Sequence, residues 1–214
     1  NVLGLRVNAD GIIFTGYRKE KLQLNTLANI NFHDFSVGVD FGTRDRTVFT
    51  LVGFSENYKR ATVISTWSHK NPKQGIKKGA TEYIEDFIEW INPLRAKYPN
   101  IKTIWVDSAS GGFKTSLSIR LKQMSNLLVK DSIKGTIVDR IIFIGQLLSL
   151  GALRVHVDCK NLFDSLGSQV WDSKAQEKGK DERLDNGTTD IDSADSFEYA
   201  VYPYRNKLLK RWNL

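Results

Sequence analysis

Apolar residues along this chain follow two different spacings, and the change between them divides the predicted elements. From residue 35, three short β-branched apolar segments are separated by connections of hairpin length, which predicts three antiparallel strands over 36–41, 47–54 and 60–67. Beyond them, residues at helical spacing alternate with short continuous apolar runs. This part predicts helices over 80–97, 113–123, 133–150, 159–171 and 190–202, and strands over 101–106, 127–129 and 153–157.

The order of these elements predicts an α/β fold built on one mixed sheet. Three antiparallel strands come first and strands alternating with helices follow, which favours a sheet with helices on its faces. Residues 1–34 are the least regular part, with a candidate strand over 11–14, and are predicted to be a linker. A long polar loop is predicted over 172–189. We therefore expect one domain over residues 35–214.

Composition agrees with an ordinary globular domain. Of the 214 residues, 41% are hydrophobic and 26% are charged, and no window approaches the roughly 18 apolar residues of a membrane span, so no membrane partner is expected. The chain begins at Asn1 without a signal peptide, so we expect a piece of a longer protein. Cys159 is the only cysteine, which excludes an internal disulfide and fits a reducing cytoplasm.

The charge distribution indicates a polyanionic partner. The net charge is +7, and residues 57–81 and 108–130 carry lysines and arginines without a single acid. The loop over 172–187 also carries lysines but has compensating acids, so a solvated, flexible loop that could gate a site is favoured there. For each basic stretch, a solvated surface is the alternative interpretation. The candidate contacts to a phosphate backbone are Lys70, Lys73, Lys77, Lys78, Lys114, Lys174, Lys178 and Lys180.

Two aspartates stand where predicted strands end. Asp40 closes the first strand and is followed by Gly42, and Asp107 closes the strand over 101–106. If these strands are neighbours in the sheet, both carboxylates project from one edge, where open α/β sheets bind their ligands. Taken singly, Asp40 could be a turn carboxylate and Asp107 a helix cap.

A second group of acids opens the last predicted helix. Asp192, Asp195 and Tyr199 are spaced to share one helix face, and Asp190 precedes them. A cation nearby would offset the repulsion between carboxylates, and oxygen ligands without His or Cys favour magnesium or manganese. The alternative is that Asp192 and Asp195 are a helix N-cap and its third residue. Together with the basic stretches, the acids are the parts of a two-metal phosphodiester hydrolase.

Three segments carry a resemblance to a known family: 37–42 (Val-Gly-Val-Asp-Phe-Gly), 104–107 (Ile-Trp-Val-Asp) and 190–200. The third is the most specific, since Asp195 is followed by a small residue, an apolar residue and then Tyr199. The chain resembles the ribonuclease H-like nuclease domain of the large terminase subunit of tailed bacteriophages. Further similar segments are 3–7, 11–14 and 134–171. Many members of that family carry histidine where this chain has Asp192.

The resemblance implies an endonuclease that cuts concatemeric double-stranded viral DNA during genome packaging. It implies two divalent ions, Mg²⁺ or Mn²⁺, held by Asp40, Asp107 and Asp195, with Asp192 and Asp190 as candidate further ligands. Its implied partners are double-stranded DNA, the packaging ATPase domain of the same full-length chain, the small terminase subunit and the portal protein. The implied location is the cytoplasm of the infected bacterium, with transient docking on the procapsid.

The resemblance also gives residues 1–34 a role, as a remnant of the segment that joins the ATPase domain to the nuclease domain. No stretch matches the phosphate-binding motif G-x-x-x-x-G-K-[ST], so ATP hydrolysis by this chain is not expected.

Two alternatives stay open. Residues 37–43 also resemble the first phosphate-binding turn of actin-like and sugar-kinase ATPases, although those proteins need two such domains around the nucleotide. The other alternative is a nuclease-like fold that only binds DNA or partners.

Overall fold

A computed structural model describes residues 11–43, 45–123, 125–186 and 189–212. Its centre is a seven-stranded mixed sheet. The strands are β1 (Gln23–Leu24), β2 (Phe32–Asp40), β3 (Arg46–Ser55), β4 (Ala61–Lys70), β5 (Thr103–Val106), β6 (Leu128–Asp131) and β7 (Leu153–His156). Their order across the sheet is β1-β7-β4-β3-β2-β5-β6.

Strand directions bring the ends of most strands to one edge of the sheet. β3 pairs antiparallel with both β2 and β4, as the sequence predicted, and the remaining pairs are parallel. Every strand except β3 therefore runs the same way. Asp40, Lys70, Val106, Asp131 and His156 close their strands at one side, which we call the carboxyl edge.

Helices cover both faces of the sheet, which explains why its central strands are apolar on both sides. They are α1 (Lys19–Leu22), α2 (Ala80–Lys97), α3 (Gly111–Lys122), α4 (Ile137–Ser149), α5 (Lys160–Ser168), α6 (Ser173–Gln176), α7 (Ile191–Val201) and α8 (Arg205–Lys210). In β3, Phe49 and Leu51 pack with α2 and α3, whereas Val52 and Phe54 pack with α4, α5, α7 and α8. Two apolar layers therefore enclose the sheet, as the mixed α/β prediction required.

α7 packs so closely on β2 that there is no room for a side chain at residue 38 of that strand. A Cβ atom on Gly38 would lie 1.9 Å from the carbonyl oxygen of Ser196. The Ser196 hydroxyl is 3.1 Å from the carbonyl oxygens of Gly38 and Val48, which ties the helix to two strands. This contact fixes the beginning of α7 at the carboxyl edge.

Two predicted helices are shorter than expected. α4 begins at Ile137 and not at residue 133, because Thr136 caps it: the Thr136 hydroxyl accepts from the Asp139 amide at 3.1 Å. α5 ends at Ser168, because Val170 and Trp171 form bridges with Ile12 and Arg183. The predicted loop over 172–189 contains the short helix α6.

Residues 11–34 of the predicted linker pack onto the domain. β1 adds a strand beside β7, and Phe14 and Leu22 are buried in the core. The candidate strand over 11–14 is a single bridge at Ile12. Segment 3–7 lies outside the described residues, and the role of residues 1–34 as a joining segment stays a prediction. Among the residues described, no helix is long and apolar enough to cross a membrane.

Candidate metal centre

Asp40 and Asp107 lie side by side at the carboxyl edge. β2 pairs parallel with β5, with Val39 opposite Val106, and each acid follows one of these residues. The Asp107 amide donates to the Val39 carbonyl oxygen at 3.4 Å. The condition set by the sequence, that the two strands be neighbours, is met. This pairing brings together two acids that are 67 positions apart in the chain.

α7 brings the remaining acids to the same edge. Asp190 is the N-cap, with Oδ1 accepting from the Ser193 amide at 3.1 Å. The alternative that Asp192 caps the helix is therefore wrong. Asp192 Oδ2 accepts from the Arg46 amide at 3.1 Å, and Asp190 Oδ2 lies 3.6 Å from Arg46 Nε. Asp190 and Asp192 thus both bind the beginning of β3.

Asp40 lies in a field of negative charge. Burial raises its pKa well above the usual value, and the charges of Asp195, Asp192 and Asp107 raise it further, while Lys134 lowers it. No residue in the described ranges hydrogen-bonds to the Asp40 carboxylate. A carboxylate without a partner among other carboxylates is the environment that a bound cation would stabilise.

Asp107 is held in its ionised form. Burial raises its pKa, but three donors more than offset this and hold the pKa below its usual value. Lys134 Nζ lies 2.5 Å from Oδ1, the Ala109 amide donates to Oδ1 at 2.8 Å, and the Tyr199 hydroxyl donates to Oδ2 at 3.1 Å. Burial and the surrounding acids raise the Tyr199 pKa, so this hydroxyl keeps its proton.

Asp195 is held by two arginines. Nη1 of Arg140 and Nη1 of Arg183 donate to Asp195 Oδ1, at 2.9 and 3.0 Å. Both guanidinium groups also bind the carboxylate of Glu198, and Nη1 of Arg140 does so at 2.7 Å. The Glu198 side chain is 1% exposed. These four side chains form an ion network, which we call the Asp195 network, in which both arginines and Glu198 are buried and Asp195 is partly exposed.

Sequence reasoning missed Lys134, Arg140, Arg183 and Glu198. Arg140 did leave a signal, because it is the only basic residue of α4. Glu198 also left one, since it follows Asp195 by three positions on the same helix. Arg183 left none, as it belonged to a predicted solvated loop of mixed charge. The structure buries Arg183 to 7% exposure, so that prediction is wrong at this residue.

The donor chemistry fits a hard divalent cation, although the side chains are turned toward protein cations. Within the described ranges, no three His, Cys, Asp or Glu side chains are grouped so as to hold a metal ion. Asp107 faces Lys134, and Asp195 Oδ1 faces the two arginines. No described residue hydrogen-bonds to Asp195 Oδ2. Oxygen donors of this kind suit magnesium or manganese.

Some of the lysines that were predicted to contact DNA lie at or just after the end of β4, at the carboxyl edge. Lys70 closes β4 at the carboxyl edge, so the connector over 71–79 begins there. The buried Asn71 side chain donates to the carbonyl oxygens of Thr43 and Lys78, at 3.0 and 3.1 Å, and closes this connector into a loop. Lys73 and Lys77 are exposed on it. Lys78 instead pairs with Asp86 at 2.6 Å.

The other predicted lysines differ in their contacts. Lys114 Nζ lies 2.5 Å from Asp131 Oδ1, which compensates its charge. Lys174 and Lys178 are exposed around α6, and Lys180 Nζ is 3.9 Å from a Glu182 carboxylate oxygen. Beside Asp190 and Asp192 lies a cleft of ≈ 110 Å³. It is lined by Asp45, Arg46, Lys70, Asp185, Thr189, Asp190, Ile191 and Asp192.

No protein-family model and no curated protein matches the chain, but solved structures do. A large terminase from a thermophilic bacteriophage has a TM-score of 0.75 and 23% identity, covering 93% of this chain and 45% of that one. The P22 large terminase nuclease domain has a TM-score of 0.65 and 13% identity, covering 95% and 94%. The large terminase nuclease from the thermophilic phage G20c has a TM-score of 0.62 and 16% identity, covering 90% and 98%.

The chain therefore spans slightly less than half of the first of these proteins and nearly all of the two nuclease domains. Structures of the G20c nuclease hold magnesium in one case and cobalt in another. At these identities the likeness establishes the fold. The predicted mixed sheet, with three antiparallel strands, parallel strands and helices on its faces, is confirmed, and the P22 large terminase nuclease domain shares this fold.

Proposed function

We propose that this chain is the nuclease domain of a large terminase subunit, a divalent-metal-dependent endonuclease acting on double-stranded DNA. The observation that carries the proposal is that Asp107 and Asp195 lie close enough to Asp40, at the carboxyl edge, for their charges to act on it. The three acids come from the ends of β2 and β5 and from α7, and the negative charges of Asp107 and Asp195 both raise the pKa of Asp40. The fold shared with the P22 and G20c nuclease domains supports the same conclusion.

In this proposal, Asp40, Asp107 and Asp195 would hold two ions of Mg²⁺ or Mn²⁺. Asp192 and Asp190 are candidate further ligands. Bound ions would activate a water molecule for attack on the phosphodiester and stabilise the leaving oxygen. Among the chain's own residues, Lys134 and Tyr199 orient Asp107 through the hydrogen bonds that each donates to it.

The lysines near the carboxyl edge would bind the DNA backbone. Lys70, Lys73 and Lys77 are exposed, whereas Lys78 and Lys114 are already paired with acids, so we expect the first three to contribute most. Backbone contacts carry no base information. Cutting should therefore be weakly sequence-specific, with the site chosen by partners.

The biological setting is part of the proposal. The substrate would be concatemeric viral DNA during genome packaging in the cytoplasm of the infected bacterium. The partners would be the packaging ATPase domain of the full-length chain, the small terminase subunit and the portal protein. ATP hydrolysis would belong to that other domain and not to this chain.

The test is nicking of supercoiled plasmid DNA with Mg²⁺ or Mn²⁺. We expect Asp40→Asn and Asp107→Asn to lose more than the roughly 10–100-fold that is typical of residues that only support metal ligands. The matched control is Asp131→Asn, an exposed acid that closes β6 at the same edge. Wild-type protein that binds DNA but never cuts would indicate a binding module, and measurable ATP binding would favour the actin-like alternative.

A further inference from the structure

We infer that Arg140, Arg183 and Glu198 are positioning residues that orient Asp195 for metal binding, so that the segment over 172–186 completes the site. This inference rests on the proposed function, since it assigns a role relative to the metal ions. It concerns residues that hold Asp195 and contact neither metal nor DNA in the proposal.

The contacts on Asp195 are one-sided. Both arginine Nη1 atoms bind Oδ1, at 2.9 and 3.0 Å, and no described residue hydrogen-bonds to Oδ2. Two donors on one oxygen restrict rotation of the carboxyl group and leave the other oxygen free to accept. This geometry fits the orientation of a ligand better than the blocking of one.

The charges of the Asp195 network cancel. Its two arginines and two carboxylates sum to zero, so the network adds no net positive charge beside a cation. Glu198 supplies the second negative charge and holds both guanidinium groups from within the core, where its side chain is 1% exposed. Without Glu198, two arginines facing one aspartate would repel a metal ion.

Stability alone is a poor explanation for the Asp195 network. Buried ion networks are often no more stabilising than apolar side chains of the same volume, because the charges lose their hydration. Here the Nε atoms of Arg140 and Arg183 are also buried with no hydrogen-bond partner. The Asp195 network therefore loses stability through these unpaired Nε atoms, and orienting Asp195 is a better explanation for its presence than stability.

The two arginines come from structurally different places. Arg140 belongs to the first turn of α4, whereas Arg183 lies in the segment over 172–186. That segment is fastened by the Trp171–Arg183 bridge and by the Leu184 amide, which donates to the Val170 carbonyl oxygen at 3.0 Å. Placement of the segment therefore decides whether Asp195 is held by one arginine or by two.

The main test is Arg183→Lys, which keeps the charge but replaces a planar fork by a single ammonium. We expect Mn²⁺ affinity, measured by isothermal titration calorimetry on the whole chain, to fall about 10-fold. We also expect kcat for nicking to fall while KM for plasmid DNA stays unchanged. The matched control is Arg154→Lys at the start of β7, at the end of the strand opposite to the carboxyl edge. There the guanidinium donates, among the described residues, to the carbonyl oxygens of Gly151 and Leu153.

Arg140→Lys and Glu198→Gln are the second and third variants, with thermal unfolding recorded for each. We expect Glu198→Gln to weaken Mn²⁺ binding further, and to speed proteolysis within 172–186, because it leaves the Asp195 network with a net positive charge. Folded variants that bind Mn²⁺ as wild type does would overturn the inference. Tighter binding would also overturn it, by showing that the arginines compete with the metal.

Failure of the proposed function has a different signature. Wild-type protein that neither binds Mn²⁺ nor nicks DNA would contradict both proposals. If the wild-type protein binds Mn²⁺ and nicks DNA, and the variants do so equally well, only the role assigned to Arg140, Arg183 and Glu198 is contradicted.

Discussion

Asp40 lies between two other carboxylates, Asp107 after β5 and Asp195 on α7, which we call the β5 side and the α7 side. The protein compensates the charges of these two carboxylates differently. On the β5 side, Asp107 is bound by Lys134, whose side chain is 33% exposed. On the α7 side, Asp195 is bound by Arg140 and Arg183, whose side chains are 8% and 4% exposed. The two carboxylates are both partly exposed, at 17% for Asp107 and 23% for Asp195, so the difference lies in the cations: Lys134 is partly exposed and the two arginines are buried.

This difference has an energetic consequence. Charge pairs near the surface contribute little, about 0–1 kcal/mol, because water screens them. Removing one partner of a buried pair costs about 3–5 kcal/mol, because the remaining charge is left without compensation. The α7 side should therefore be sensitive to mutation, and the β5 side should tolerate it.

The largest expected effect is that of Arg140→Met. It leaves Asp195 and Glu198 with one arginine between them, and we expect a loss of about 3–5 kcal/mol in the free energy of unfolding. Urea unfolding followed by circular dichroism measures it. The matched control is Arg154→Met, which removes an arginine that binds backbone carbonyl oxygens and no carboxylate of a described residue. A loss below about 1 kcal/mol for Arg140→Met would remove the difference between the two sides.

Next comes Gly38→Ala, which acts on the α7 side through packing. The new Cβ would lie 1.9 Å from a backbone oxygen of α7, and a backbone atom cannot rotate away. We expect a loss of about 3 kcal/mol, at the upper end for overpacking, with the β2–β5 pairing preserved. Gly145→Ala in α4 is the control, since a Cβ there meets no atom within 4 Å. It should stabilise the protein by about 0.5–1 kcal/mol.

The contacts on the two sides of Asp40 also differ in how well they could be predicted from the sequence. Asp40 and Asp107 were found because local apolar runs end at each of them, and the parallel pairing of β2 with β5 was the one condition left open. Strand pairing of this kind follows from pattern and topology. The meeting of these two acids was therefore within reach of the sequence.

The Asp195 network was not within reach of the sequence. Arg140 and Asp195 are 55 positions apart, and their contact depends on how α4 and α7 pack on one face. Arg183 lies in a polar segment whose residues carry no periodic pattern. The placement of β7 next to β4, and of β1 next to β7, was equally undetermined, because strand order depends on long-range packing that local spacing does not encode.

Tyr199→Phe is expected to have a smaller effect. Tyr199 belongs to α7 but donates to Asp107 Oδ2, so it joins the two sides. Loss of one hydrogen bond to a partly exposed carboxylate should cost about 1 kcal/mol. Tyr202→Phe is the control, because no described residue hydrogen-bonds to that hydroxyl. Equal stability of Tyr199→Phe and wild type in urea would show that the two sides are independent.

The smallest expected effect is that of Lys134→Met. Lys134 binds Asp107 at 2.5 Å, but its partly exposed ammonium can be replaced by water, and the Ala109 amide and Tyr199 hydroxyl still bind the carboxylate. We expect less than about 1 kcal/mol of lost stability, similar to Lys114→Met, which breaks the pair with Asp131 at the same edge. A loss above about 2 kcal/mol, at 150 mM salt, would show that Asp107 is held as tightly as Asp195. The two carboxylates would then differ in the exposure of the cations that bind them and not in how strongly they are held.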